Sequence, residues 1–181
     1  MNASHFFSCG LAATMLLSAA MPALADSYAD DRAKIENLQA RYMFAMDWRD
    51  ADTYASCFTE DGELDWARGV EKGRKAIRAA VEGMRAGDQK RAAEDKLKRR
   101  PGSMRHNITN IVIKIDGNKA TGRAYWTEFN NLNDRGVAVV GGYGHYEDEL
   151  VKINGEWFFT KRKIFNEILD SRAAPAKSPA W

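Results

Sequence analysis

Two histidines decide what proton chemistry this chain can do. It has three in all, and His5 lies in an apolar leader, so His106 and His145 are the side chains that titrate near neutrality without special surroundings. An imidazole of that kind can take a proton and return it. The chain contains no phosphate-cradling loop, dinucleotide fingerprint, zinc-spaced Cys/His set or Gly-x-Ser-x-Gly elbow. The residue types therefore point to chemistry without cofactor or metal. His106 stands near the start of Arg105-His-Asn-Ile-Thr-Asn-Ile-Val-Ile, where alternation puts it on one strand face with Ile108, Asn110 and Val112. Such a mixed face can line a cavity, and it can equally hold a hydrogen-bonded structural histidine; spacing leaves both open. Asp47 closes a helical segment, a place where acidic residues are ordinarily solvated, and spacing alone gives it no role. Trp66, Trp126 and Phe129 suit the wall of an aromatic or alicyclic ligand as well as a core.

The elements that must position these groups fall into two halves. Over residues 28–48, Ile35, Leu38, Tyr42, Ala45 and Met46 recur at three- and four-residue spacing behind Asp30 and Asp31, which predicts an amphipathic helix. A shorter helix is expected over 51–58, then a strand-like alternation at 63–66. Gly69 and Gly73 break the chain before a third helix that carries Ile77, Val81 and Met84 on one face. Residues 85–101 are dense in charge and poor in anything to bury. A solvated helical or mobile excursion is the plain reading; a lid over a pocket, or a basic patch at Lys96-Leu-Lys-Arg-Arg100 for an anionic partner, are the alternatives.

The second half reads as four strands, 104–115, 119–130, 137–153 and 156–166. Asp116-Gly117-Asn118 and Asn154-Gly155 close antiparallel hairpins, and 131–136 form a longer loop. Gly141, Gly142 and Gly144 inside the third strand mark a bend or bulge. The expected class is α+β: a cone-shaped roll with N-terminal helices packed on a strongly curved antiparallel sheet.

The 181 residues are 45% hydrophobic and 29% charged with a net charge of +2, which suits one domain with one core and argues against a nucleic-acid partner. Residues 1–25 hold no Lys, Arg, Asp or Glu and end in Ala23-Leu24-Ala25, the pattern of a signal peptide. Its apolar run is shorter than the roughly 20 residues of a bilayer span, so export without a membrane anchor is expected, to the periplasm or outside the cell. Cleavage would leave a domain over 26–170, a flexible Ala- and Pro-rich tail over 171–181, and Cys57 as the sole cysteine. A lone cysteine on an amphipathic helix is usually a small buried apolar residue.

Three runs carry a family likeness: residues 32–52 through Asp47, Phe58-Thr-Glu-Asp-Gly-Glu-Leu-Asp-Trp66, and Arg105-His-Asn-Ile-Thr-Asn110. With the closing Tyr146-Glu-Asp-Glu-Leu-Val-Lys-Ile-Asn-Gly-Glu-Trp157, the chain resembles the SnoaL-like branch of the nuclear-transport-factor-2-like superfamily over about 31–166. That branch includes scytalone dehydratase, bile-acid 7α-dehydratase, hexachlorocyclohexane dehydrochlorinase, polyketide cyclases and lignin-dimer γ-formaldehyde lyases.

The resemblance implies a catalytic Asp47–His106 pair with Tyr42, and substrate contacts from Trp66, Glu128, Asn130, Tyr146 and Arg162, to which residue type adds Trp126. It also implies a lyase or isomerase that needs no cofactor, acting on a small hydrophobic oxygenated substrate. A non-catalytic ligand-binding or dimerising domain of the same fold is the alternative. A homo-oligomer, dimer or trimer, is expected through the outer face of the sheet. Departures from the scytalone dehydratase pattern at Met46, Asn130 and Tyr146 argue against scytalone itself as substrate.

Overall fold

The structure is a computed structural model and describes residues 27–95 and 103–180. The leader, the basic patch at 96–100 and Trp181 lie outside the described residues.

The first helix, α1 (Tyr28–Trp48), begins at a capping box in which Ser27 and Asp30 satisfy each other's backbone N–H. It ends at Arg49, whose left-handed backbone (φ 56°) stops the helix. Ile35, Leu38, Tyr42, Met43 and Ala45 form its buried stripe. Next come α2 (Ala51–Ser56), capped by Asp50, then β1 (Phe58–Trp66), β2 (Gly69–Lys72) and α3 (Arg74–Glu94). The remaining strands are β3 (Met104–Asp116), β4 (Lys119–Asn130), β5 (Val139–Ile153) and β6 (Glu156–Ile164).

One six-stranded sheet in the order β2-β1-β6-β5-β4-β3 curls around the helices. The expected α+β cone is there, with one difference: β1 pairs with β6 in parallel, so the sheet is mixed. Tight-turn residues report pairing between strands adjacent in sequence. The chain between β1 and β6 runs through α3 and three strands, and such a long connection is free to return in either sense. The strand β2 was also unexpected, because its two-residue turn, Ala67-Arg68, lacks the Gly or Asn that normally signals a hairpin. Segment 85–94, read as a charged excursion, continues α3 and helps wall the cavity described below.

Two bulges re-aim side chains. Gly141 is the extra residue where β5 slips against β4, as the glycine cluster suggested. In β3, Asn110 takes a left-handed conformation (φ 52°) and the register shifts between Thr109 and Val112. His106 and Ile108 therefore share the inner face with Ile111 and Ile113, while Asn110 and Val112, expected beside them, turn outward.

The core carries a charge at its centre. Arg162 and Asp148 are fully buried and joined by two hydrogen bonds of 2.8 and 2.7 Å, with Gln39 Nε2 donating to the same carboxylate at 3.3 Å. The guanidinium lies 4.0 to 4.2 Å from the ring centres of Phe159, Tyr42 and Tyr146. Burial opposes its charge, but Asp148 outweighs burial and raises the Arg162 pKa above its ordinary value. Arg162, expected at the substrate, is instead sealed behind the aromatic floor of the site. At the C-terminus, Arg172 reaches back to Asp65 Oδ1 at 2.7 Å and to the Ile164 carbonyl at 2.8 Å, which pins the start of the tail expected to be loose.

Breaking the buried pair on one side leaves a charge with no partner, at a cost of about 3–5 kcal/mol. Asp148→Leu alone should lower the chemical-denaturation free energy by that amount. Asp148→Leu together with Arg162→Met should recover most of it. Equal losses in the single and double variants would contradict this account of the core.

Candidate active site

The end of α1 and the start of β3 meet at one carboxylate. Asp47 accepts the backbone N–H of His106 at Oδ2 (3.1 Å), while its Oδ1 lies 2.6 Å from His106 Nδ1. The two side chains are 5% and 12% exposed, so water competes little for either contact. An ionised carboxylate only accepts, so it pairs with a proton on Nδ1, and in the neutral ring Nε2 then keeps its lone pair. No group among the described residues hydrogen-bonds Nε2, and the ring borders a cavity of about 270 Å³. The imidazole is thus held in one tautomer with its basic nitrogen available to a small molecule.

The cavity approaches the size of ordinary small-molecule sites, and its walls are mostly apolar. Trp66, Trp126, Ile164 and three methionines, Met46, Met84 and Met104, supply that surface. Thioether side chains adapt to irregular shapes, so this wall tolerates more than one ring system. Along α3 the wall is made by Gly83 and Gly87, one turn apart. A Cβ at Gly83 would meet nothing within 4 Å, so packing does not require glycine there. Each glycine costs the helix about 1 kcal/mol relative to alanine, and the space it frees goes to the cavity.

Of the residues singled out from sequence, Tyr42, Trp66, His106, Trp126, Glu128 and Tyr146 line the cavity, with Asp47 directly behind His106. Glu128 stands opposite His106 in the β3–β4 register. Asn130 does not line the cavity; its Nδ2 donates to Glu128 Oε1 at 2.7 Å and fixes that carboxylate. A Cβ at Gly141 would meet the ends of both of those side chains and oblige them to move. His145 faces the other side of the sheet, stacked on Phe165 at 4.4 Å, and takes no part. Phe129 is likewise on the outer face. Sequence reading missed Arg49, Arg68, Asp88 and Arg91 on the rim. The Gly83/Gly87 spacing, inside an otherwise helical pattern, was the available signal that something approaches α3 closely.

Tyr42 and Tyr146 form the floor, with Tyr54 packed behind Tyr42. The hydroxyls of Tyr42 and Tyr54 hydrogen-bond one another, and the Tyr146 hydroxyl lies 3.8 Å from Met43 Sδ. Burial pushes the Tyr42 pKa up to about 12, against the lowering influence of Arg162 and of the Tyr54 hydrogen bond. Burial, with Tyr42 as neighbour, also holds Tyr54 and Tyr146 well above the ordinary value. All three stay neutral at working pH and offer O–H dipoles, not charge.

Because the folded pKa values are raised, the stability these tyrosines contribute is complete below the unfolded value near 10. It is lost as pH climbs from there through the folded values. Urea denaturation followed at about pH 9 and about pH 11 should give a clear fall in midpoint at the higher pH. Tyrosinate absorbance that developed fully near pH 10 in the folded protein, with no loss of stability, would contradict this.

The likeness to known proteins fits this architecture. The profile of the SnoaL-like domain matches residues 27–163. No curated protein matches the chain significantly. Among solved structures, a protein of unknown function from Mycobacterium tuberculosis is 29% identical, with TM-score 0.63, over 81% of this chain and 82% of that one. A cystatin-like-fold protein of unknown function from Nostoc punctiforme is 27% identical, with TM-score 0.60, over 76% of this chain and 91% of that one. A protein provisionally described as a scytalone dehydratase, from Novosphingobium aromaticivorans, shares the fold at 22% identity and TM-score 0.61, over 83% of this chain and 93% of that one. The described helices and curled sheet, and a profile match across most of the sequence, give one conclusion: the chain belongs to the SnoaL-like domain family.

Proposed function

We propose that this protein is a lyase or isomerase that needs no cofactor and acts on small, hydrophobic, oxygenated cyclic or aromatic molecules, with His106 as its base. The observation that carries this reading is the Asp47 carboxylate on His106 Nδ1 at 2.6 Å, with Nε2 left to a mostly apolar cavity. Membership of a family that holds small-molecule-processing enzymes supports it.

In the elimination we favour, Nε2 removes a proton from carbon next to a carbonyl, and the electron pair forms the new C=C bond as the neighbouring C–O bond breaks. The imidazolium then returns that proton to the departing hydroxide, so that alkene and water leave and His106 is restored. Tyr42 or Tyr146 donates to the carbonyl oxygen as charge gathers there, with Glu128 near the leaving oxygen. Asp47 stabilises the transient imidazolium without itself changing protonation. In an isomerisation the same proton returns to a different carbon.

Export and self-association are part of the proposal. A leader at residues 1–25 would send the domain toward environmental compounds. Tyr125, Phe129, Val140 and Tyr143 form an exposed apolar group on the outer face of β4 and β5, which supports a homo-oligomer assembled there.

The test is turnover across a panel of hydroxylated aromatic and terpenoid compounds. His106→Ala should lose roughly 10²- to 10⁴-fold in kcat while keeping its fold. Asp47→Asn should lose less than His106→Ala but keep KM, because it frees the tautomer and leaves the cavity walls intact. A His106→Ala protein as active as the wild type would sink the scheme. Binding without turnover by the wild type, unaltered in both variants, would favour the non-catalytic binder.

A further inference from the structure

The cavity is electrically lopsided. On its exposed side three guanidinium groups, from Arg49, Arg68 and Arg91, face one carboxylate, Asp88. Asp88 is already shared: it takes Arg49 Nε at 2.8 Å and also bonds Arg91. Arg49 is 11% exposed and spends its other nitrogens on the Met46 carbonyl and the Met104 sulfur, so it is a strut. Arg68 is different. It sits at the tip of the Ala67-Arg68 turn between β1 and β2, its guanidinium is 5.4 Å from the Trp66 ring centre, and no carboxylate among the described residues pairs with it.

Trp66 adds a second observation. It is 8% exposed, lines the cavity, and its Nε1–H is buried without an acceptor among the described residues. A buried donor left without a partner is costly unless something supplies the acceptor. At the inner end the sign reverses: Glu128 lines the wall beside His106, and Asp47 lies behind it. An anion is repelled from that end and attracted to the mouth.

We propose that the substrate of this site is an amphiphilic monoanion. Its ring-bearing body lies against Trp66, Trp126 and the methionines, and its carboxylate or sulfonate sits at the mouth, held by Arg68 with support from Arg91. The inference rests on the cavity being the ligand site. It fixes which end reacts: the carbon deprotonated by His106 is the one remote from the anion. It also makes affinity depend on salt, since the mouth is open to water.

The experiment uses two dyes that differ by one charge, anilinonaphthalene sulfonate and its uncharged parent N-phenylnaphthylamine. Each is titrated into the full-length protein by dye fluorescence, with the His106 ring signals followed by NMR. We expect both dyes to shift His106 and the sulfonate to bind about tenfold tighter at low salt, an advantage that shrinks as salt is added. Arg68→Gln should cut that advantage by about fivefold and leave the parent dye unchanged; adding Arg91→Gln should remove most of the remainder. Both residues are exposed, so folding is not at stake. Equal binding of the two dyes with His106 shifted in both cases, or an advantage that Arg68→Gln leaves untouched, overturns the anion proposal and spares the cavity. If neither dye moves His106, the cavity reading fails and this proposal fails with it.

Discussion

The site depends on one buried carboxylate with two duties. Asp47 closes the gap between the last turn of α1 and the first residues of β3 by accepting a backbone N–H and an imidazole N–H from the same residue, His106. Its position is otherwise unfavourable, because a negative charge near a helix C-terminus opposes the helix dipole and α1 has no basic residue in its last turn. Hydrogen bonds to a charged group, worth about 1.5–3 kcal/mol each, offset that cost. The bond that orients the base is therefore also a bond that joins helix to sheet, and the geometry of Nε2 inherits the rigidity of both.

The rest of the fold can be read as support for that geometry. The curled sheet gives the concavity, and the Gly141 bulge lets the Glu128–Asn130 pair approach β5. The Arg162–Asp148 pair sits beneath Tyr42 and Tyr146 and fills the centre with groups that cannot shift without exposing a charge. Arg49 and Asp88 tie the end of α1 to α3, so the helix that forms one wall is fixed to the helix that carries the acid. Gly83 and Gly87 weaken α3 where it borders the cavity, a cost in stability that leaves volume for a ligand.

Much of this was legible in the sequence, for local reasons. The bounds of α1 follow from apolar spacing and the acidic first turn, and the hairpins from Asp116-Gly117-Asn118 and Asn154-Gly155. Asp47 was not legible from spacing, since its partner lies 59 residues away; only family likeness joined the two. The parallel β1–β6 pairing and the outward turn of Asn110 depend on long-range register and on one left-handed residue, which periodicity does not record, and β2 follows a turn without the usual Gly or Asn. Arg162 misled for a similar reason. Family likeness offered Arg162 as a substrate contact, and the fold instead brings Asp148 and three rings around it. The cationic rim was invisible because its members come from three separate elements, each ordinary by itself.

The most direct test of the central claim is the tautomer of His106 in the resting protein, read from the nitrogen shifts and ring couplings of labelled histidine. The account predicts a protonated Nδ1 hydrogen-bonded to Asp47 and an unprotonated Nε2, with that pattern lost in Asp47→Asn. A proton on Nε2, or a ring exchanging freely between tautomers in the wild type, would contradict it.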